Sequence, residues 1–504
     1  MNKDLKLFIE PKTLLLLTKV SDFLTGQGIK SYLVGGFVRD TLLERDTFDI
    51  DITVSADALE IVRGVADTIG GKYIRLDEVN KIGRVVLTDE DTPSASPQWQ
   101  LDFASFKGNI ESDLAQRDFT IDAIAIDLAE LGTDVTLIDT LDGWNDLHRG
   151  IIRAVSERAF KLDAIRLLRA VRLAAELGFD IDNETESLIR HYCHLIVDAA
   201  GERVREELLR LLAIPQSGRF LAYLDKLGLA TIIIPELTQL KGAQQPKEHF
   251  WDIFDHSMET VAAVDFLLQQ GTWEHTNGKV ISVVPWSAVL NQHFELEVSH
   301  GSTRRSLLKL AALLHDIAKP EAKTIDENGR MRFLGHAKIG AAIAVNVLER
   351  LRFSGKEVKL VETMVMHHLR PGQMSQGELP SHRAIYHYFR DTGEAGIDIL
   401  FLSLADHLAT RGPHLNLVEW QRHAKMIEYV LTQRFEQENL VVPPKLVNGH
   451  DLIDTFGMNP GPNIRDILEV VREAQAAGEL TTRQEALSYV RECLLTKVSD
   501  TKHG

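Results

Sequence analysis

Residues 32 to 53 read YLVGGFVRDTLLERDTFDIDIT. The apolar run Tyr32-Leu33-Val34 predicts a short buried strand. Gly35 and Gly36 then let the backbone approach a ligand with no Cβ in the way. Val38 to Leu43 predicts a short amphipathic turn of helix carrying Arg39, and Phe48 to Val54 a second strand. Alternation along that strand sets Asp49 and Asp51 on one face and Phe48, Ile50 and Ile52 on the other. Two carboxylates so close repel each other, so a divalent cation is their natural partner. Paired glycines and an arginine for phosphates, then paired aspartates for metal, form the equipment of a nucleotide-handling site. An isolated Asp-x-Asp would read more simply as two solvated acids on an edge strand; the glycines and Arg39 just upstream shift the balance.

Outward from this stretch, Pro11 to Gln27 predicts an amphipathic helix, and residues 56 to 70 a helix closed by Gly70-Gly71. Short strands are expected at Tyr73-Ile74, Ile82 to Leu87 and Trp99 to Phe103, with the turn-rich TDEDTPSASPQ between the last two. Together they make a small mixed sheet with helices on one side. Asp102, in WQLDFASF, is a candidate third carboxylate or else a strand-end acid. Arg117 and Asp118 precede an apolar segment; the pair could orient a sugar or triphosphate, or be an ordinary ion pair. The acids of LIDTLDGWNDLHRG, 137 to 150, read as structural. Residues 159 to 179, AFKLDAIRLLRAVRLAAELGF, predict a helix with Asp163, Arg166, Arg169 and Arg172 at spacing three. A carboxylate and a guanidinium on adjacent turns offer an acceptor and fixed donors, as reading a base edge requires. A solvated face with an ion pair is the plainer alternative.

The chain has 504 residues, too many for one core, and three or four domains are expected. Its 44% hydrophobic and 26% charged content is that of a globular protein. A net charge of -17 argues against coating nucleic acid non-specifically, without forbidding a local basic groove. Only Cys193 and Cys493 occur, far apart, which favours a reducing compartment and no disulfide framework. The N-terminus lacks a signal-peptide core and no apolar run is long enough to span a membrane, so a cytoplasmic protein is expected.

LVGGFVRDTLL with FDIDIT, QRDFTIDAIA, the acidic DG turn and LDAIRLLRAVRLAAELGF stand in an order and spacing that resemble the class II tRNA nucleotidyltransferase and poly(A) polymerase family. The resemblance covers about residues 30 to 245. It implies an α+β chain: a small mixed-sheet nucleotidyltransferase head (1–150), a helical neck and RNA-binding body (151–245), then all-α segments. It further implies that Asp49 and Asp51 bind catalytic Mg2+, with Asp102 as a candidate third member. Gly35, Gly36 and Arg39 would hold the triphosphate, and Arg117 with Asp118 the sugar and phosphates. Asp163 and Arg166 would pair with the incoming base, Arg169 and Arg172 standing nearby. The helix ERVREELLRLL, 202 to 212, resembles a later structural motif of the family. The expected partners are tRNA, CTP and ATP.

Two departures stand out. Leu162 replaces the Glu that usually opens the base-reading motif, and the connection from LDFASFKGN to IESDL is short. Many CCA-adding members carry a longer flexible loop there, so the short one resembles CC-adding members. Rival activities are full CCA addition, A addition and poly(A) polymerisation.

Beyond residue 245, histidines and aspartates recur near the apolar faces of successive helices, a ligand set that suits a transition metal. The series resembles the HD phosphohydrolase superfamily over about 248 to 412. His256, His315, Asp316 and Asp406 match its four-ligand pattern, and His336 and His367 its added histidines. A metal-dependent phosphatase or phosphodiesterase domain (246–412) is therefore expected, with a divalent transition metal; an inactive domain that binds RNA or forms a homodimer contact is the alternative. A rival from another class is an HD hydrolase whose head only binds nucleotide. Residues 270 to 304 read as an irregular insertion, and 413 to 504 as a helical tail.

Overall fold

A computed structural model describes residues 4–5, 9–87, 99–131, 135–269, 272–275, 278–374, 379–436 and 444–500. The expected turn-rich loop TDEDTPSASPQ lies outside them. The chain divides into two compact units, residues 1–199 with 226–232, and 200–225 with 233–504.

The first unit holds an eight-stranded sheet of β1 (Asp4–Leu5), β2 (Ser31–Val34), β3 (Asp49–Val54), β4 (Lys72–Asp77), β5 (Ile82–Leu87), β6 (Trp99–Ser105), β7 (Ala125–Asp127) and β8 (Val135–Ile138). Their order is β1-β8-β7-β2-β3-β6-β5-β4. Only β3 and β6 run parallel; the other neighbours are antiparallel. Helices α1 (Pro11–Gly26) and α3 (Ala58–Ile69) pack together, and Leu17, Val20, Val62 and Val65 join Ile50, Ile52, Leu101 and Phe103 in one core. Each such fully buried side chain contributes about 1.5–3 kcal/mol relative to exposure. Asp57 caps α3 by accepting the Leu59 N–H, and Gly70, at φ 77°, ends it. Since Ile50 and Ile52 fill this core, alternation turns Asp49 and Asp51 to the opposite face. Phe48 was expected to join the core, but it stands just outside β3 and is half exposed.

The first unit also holds α2 (Gly35–Leu42), α4 (Ile110–Leu114), a turn of 3-10 helix (Thr120–Asp122) and α5 (Gly143–Arg149). Asp139 accepts the Gly143 and Trp144 N–H groups, and Asp146 accepts from Thr120 and Arg153. These acids build the turn. The helix expected over 159 to 179 is broken: α6 spans Arg158–Leu162 and α7 Ile165–Leu177. Asp163 stands in the break with an extended backbone (φ -153°, ψ 102°) and its Oδ1 accepts the Ile165 N–H at 3.4 Å. A short acid competes with the helix for backbone donors, which is why it starts α7 instead of continuing α6.

In the second unit, the helix Ile253–Leu267 packs on Arg304–Leu314 and Gly396–Arg411, and His336–Arg350 packs on Gly355–His367. Lys309 is fully buried; its ammonium meets Asp265 at 2.6 Å and donates to the carbonyls of Leu212 (2.7 Å) and Ile214 (3.1 Å). Asp265 in turn accepts from Ser217 and the Gly218 N–H. The 270 to 304 insertion is not irregular. It contains helices Gly278–Ile281 and Ala288–Glu295 and a hairpin of Glu297–Ser299 with Ser302–Thr303. His293 and Arg304 both reach the buried Asp398, at 3.2 and 2.6 Å, and Phe294 packs edge-on against Phe401. No described helix is long and apolar enough to cross a membrane.

Candidate functional site

The hydrophilic face of β3 opens on a cavity of about 230 Å³ lined by Gly35, Gly36, Asp51, Asp102, Arg117, Asp118, Asp122 and Arg169. Gly35 sits where β2 becomes α2, at φ 66°. A Cβ there would lie 2.7 Å from Asp51 Oδ2 and 3.0 Å from Arg117 Nη1, so conformation and space both demand glycine. Burial pushes the Asp51 carboxyl up to about 6; Arg117 pulls it down and Asp102 adds to the rise. Asp49, two residues earlier on the same face, is exposed. Asp102 lies beside Asp51 in register, but Arg84 engages both its oxygens, at 2.6 and 2.8 Å. Asp102 thus pairs with Arg84 while still lining the cavity, where each oxygen keeps a further lone pair.

A chain of ion pairs frames the cavity. Arg39 is buried; its Nη1 donates to Asp122 at 2.7 Å, and Nε and Nη2 donate to Asp40 at 2.9 Å. Arg39, expected to hold the triphosphate, turns these three donors to the two carboxylates, holds Asp122 in place and lies outside the cavity lining. Arg169 Nε meets Asp118 at 2.9 Å, with Nη2 4.0 Å from Asp122. Burial would raise Asp118, but the charges of Arg169 and Arg166 outweigh it and hold the carboxyl below its ordinary range. Arg166 Nη1 donates to the Gln116 carbonyl at 3.0 Å, which ties α7 to the segment carrying Arg117 and Asp118. Asp163 stands in the break just before the same helix. Arg172, expected near the nucleotide, is buried and pairs with Glu176, outside the cavity lining. Asp122 and Arg84 were missed, the first hidden in the apolar TIDAIA and the second on a strand with no other polar signal.

The second unit holds a buried cluster. His256, His315 and Asp316 form one group of converging ligand atoms, and Asp316, His336 and His368 another. Asp316 Oδ2 lies 3.3 Å from His256 Nε2 and 3.2 Å from His315 Nε2, while Oδ1 lies 3.4 Å from His336 Nε2 and 3.8 Å from His368 Nε2. Asp406 Oδ1 adds to the first group, 3.2 Å from His256 Nε2. His367 is not part of it, contrary to expectation. Its neighbour His368 continues the buried stripe Leu360, Val361, Met364 and Val365, whereas His367 turns to another cavity. The i+3 and i+4 spacing from Met364 and Val365 was the signal that could have found it.

The cluster's chemistry fits a metal. His315, His336 and His368 each direct Nδ1 at a backbone carbonyl, of Ala312, Phe333 and Val365, at 2.7–2.8 Å. A carbonyl only accepts, so Nδ1 carries the proton and Nε2 is left with its lone pair. Yet His336 Nε2 faces His368 Nε2 at 3.3 Å. Two lone pairs this close need a cation or a proton between them. Burial and the neighbouring His315 hold His368 down to about 4, while Asp316 outweighs burial and raises His336, so a proton on His336 or a shared cation satisfies the pair. Lys319 supplies a cation 2.6 Å from Asp316 Oδ2, and its ammonium donates to Gln245 at 2.7 Å.

A sheet with paired carboxylates beside a glycine turn and fixed arginines, followed by helices with a histidine–aspartate cluster, defines a metal-dependent nucleotidyltransferase carrying an HD domain. Residues 31–153 match the poly A polymerase head domain, and 178–241 the probable RNA and SrmB-binding site of polymerase A. Residues 287–411 match the HD domain and 413–490 a putative tRNA nucleotidyltransferase domain 2. His256 contributes to the cluster from outside the matched HD span. The chain is 31% identical to an A-adding tRNA nucleotidyltransferase of Deinococcus radiodurans, over 91% of this chain and 94% of that one. It is 30% identical to a CC-adding tRNA nucleotidyltransferase of Thermus thermophilus, over 91% and 93%. The fold also resembles the Thermotoga maritima CCA-adding enzyme complexed with tRNA, with TM-score 0.60 and 20% identity over 96% of both chains. The chain belongs to the tRNA nucleotidyltransferase and poly(A) polymerase family.

Proposed function

We propose that the head adds two cytidines to the 3′ end of tRNA. The observation that carries this reading is the connection from β6 to α4, residues 106 to 109 only, shorter than the flexible loop expected of CCA-adding members. Asp49 and Asp51 would hold Mg2+, and that metal, when bound, would lower the pKa of the tRNA 3′-hydroxyl and neutralise charge on the phosphates. Arg117 and Arg169 face the cavity and would hold the triphosphate. Gly35 and Gly36 would let backbone N–H groups approach it. Asp163 and Arg166, anchored at the start of α7, would hydrogen-bond the cytosine edge, with Arg166 oriented by the Gln116 carbonyl. The similarity to an A-adding relative keeps addition of A as the second reading. With CTP alone, a transcript lacking its CCA end should grow by two residues; growth by none, or by a long tail, would contradict the proposal.

In the same reading, His256, His315, Asp316, His336, His368 and Asp406 would hold divalent transition metal in two positions that share Asp316. Bound there, metal would activate water for phosphoester hydrolysis. Four functional segments, bounded at 150, 245 and 412, and a cytoplasmic location complete it; both cysteines are free, as a reducing compartment allows. A phosphodiesterase assay on a chromogenic phosphodiester tests the second activity. Hydrolysis should vanish in Asp316→Ala and after chelation while cytidine addition persists in Asp316→Ala; metal-independent hydrolysis would refute it.

A further inference from the structure

We propose that the second unit carries a separate binding site for a nucleoside phosphate, built by the 270 to 304 insertion. A cavity of about 800 Å³ lies between the insertion's hairpin, the first turns of helix Gly355–His367 and the residues 390 to 395. None of its lining residues belongs to the head or to the histidine–aspartate cluster. Its volume falls in the range of sites that enclose one small ligand.

The walls divide by chemistry. Gly355 and Lys356 are the first two residues of a 13-residue helix, so their N–H groups have no acceptor within it. Ser354 takes the Glu357 N–H, leaving those two for a ligand. Lys356 has no ion-pair partner among the described residues, while Arg304 pairs with Asp398 and Arg390 with Asp391. This end suits a phosphate. Leu296, Val298 and Leu360 form an apolar wall for a base, and Glu297 and Glu394 offer acceptors for sugar hydroxyls. A single nucleotide fits a cavity of this volume better than an RNA strand.

The insertion is built to hold this wall. His293 and Arg304 anchor it on buried Asp398, which places the hairpin opposite the helix N-terminus.

The test is equilibrium titration of the full-length protein with CMP, AMP and orthophosphate. It compares the wild type with Lys356→Glu and Leu296→Glu, both exposed positions. Saturable CMP or AMP binding that orthophosphate displaces, and that each variant weakens at least about tenfold, supports the site. Cytidine addition should be unchanged in both variants. Binding unaltered in both variants, no saturation at millimolar ligand, or displacement by tRNA but not by orthophosphate would overturn it.

Discussion

At the scale of single residues, the two centres rest on a few side chains whose neighbours leave them little choice. Asp49→Asn or Asp51→Asn should lower cytidine incorporation by at least about 100-fold with tRNA binding retained, measured by single-turnover extension beside filter binding. Full turnover in either variant would remove them from the metal site. Burial raises Asp51 to about 6, and the carboxylate must be ionised to hold metal. As pH falls below about 6, protonation therefore competes and the apparent Mg2+ dissociation constant should rise up to tenfold per unit, seen by titrating activity with Mg2+. At the second centre, His368→Ala should lose bound transition metal in elemental analysis while His367→Ala keeps it. The reverse would restore the reading made from the sequence. Asp49, Asp51 and the glycines were legible because strand alternation is local. The choice between adjacent histidines was not, since it depends on the phase of the buried helical stripe.

At the scale of elements, the turn from β2 into α2 and the break before α7 decide what the cavity can hold. Gly35→Ala would force φ 66° on a residue with a Cβ 2.7 Å from Asp51. It should cost about 1–3 kcal/mol of stability and most of the activity, checked by urea denaturation and incorporation. Arg166→Ala should relax the choice between CTP and UTP more than it weakens tRNA binding, compared as kcat/KM for the two nucleotides. Equal losses for both would leave Arg166 a purely structural tie. The sequence's helical period ran unbroken through Asp163, but it does not register an extended acid that ends one helix before the next begins. The ion pair of Arg39 was not legible for a related reason: its carboxylate partner Asp122 lies 83 residues on, within an apolar run.

At the scale of the whole chain, buried charge links segments far apart in sequence. Lys309 joins helix Arg304–Leu314 to the carbonyls of Leu212 and Ile214 and to Asp265. Lys309→Ala leaves Asp265 buried without its cation and should destabilise the second unit by about 3–5 kcal/mol, read from urea denaturation. A lysine amid leucines reads in sequence as a surface position, so this tie was invisible before folding. The ordered mixed-sheet head and the helical remainder were legible because long periodic segments dominate them; the built insertion was not, because its helices are short. Cytidine addition is checked by offering the protein three tRNA transcripts, ending before CCA, after C and after CC, with CTP and ATP supplied separately. The account predicts extension of the first by two cytidines, of the second by one, and no addition of A to the third. Growth of the CC-ended transcript by one A would contradict it.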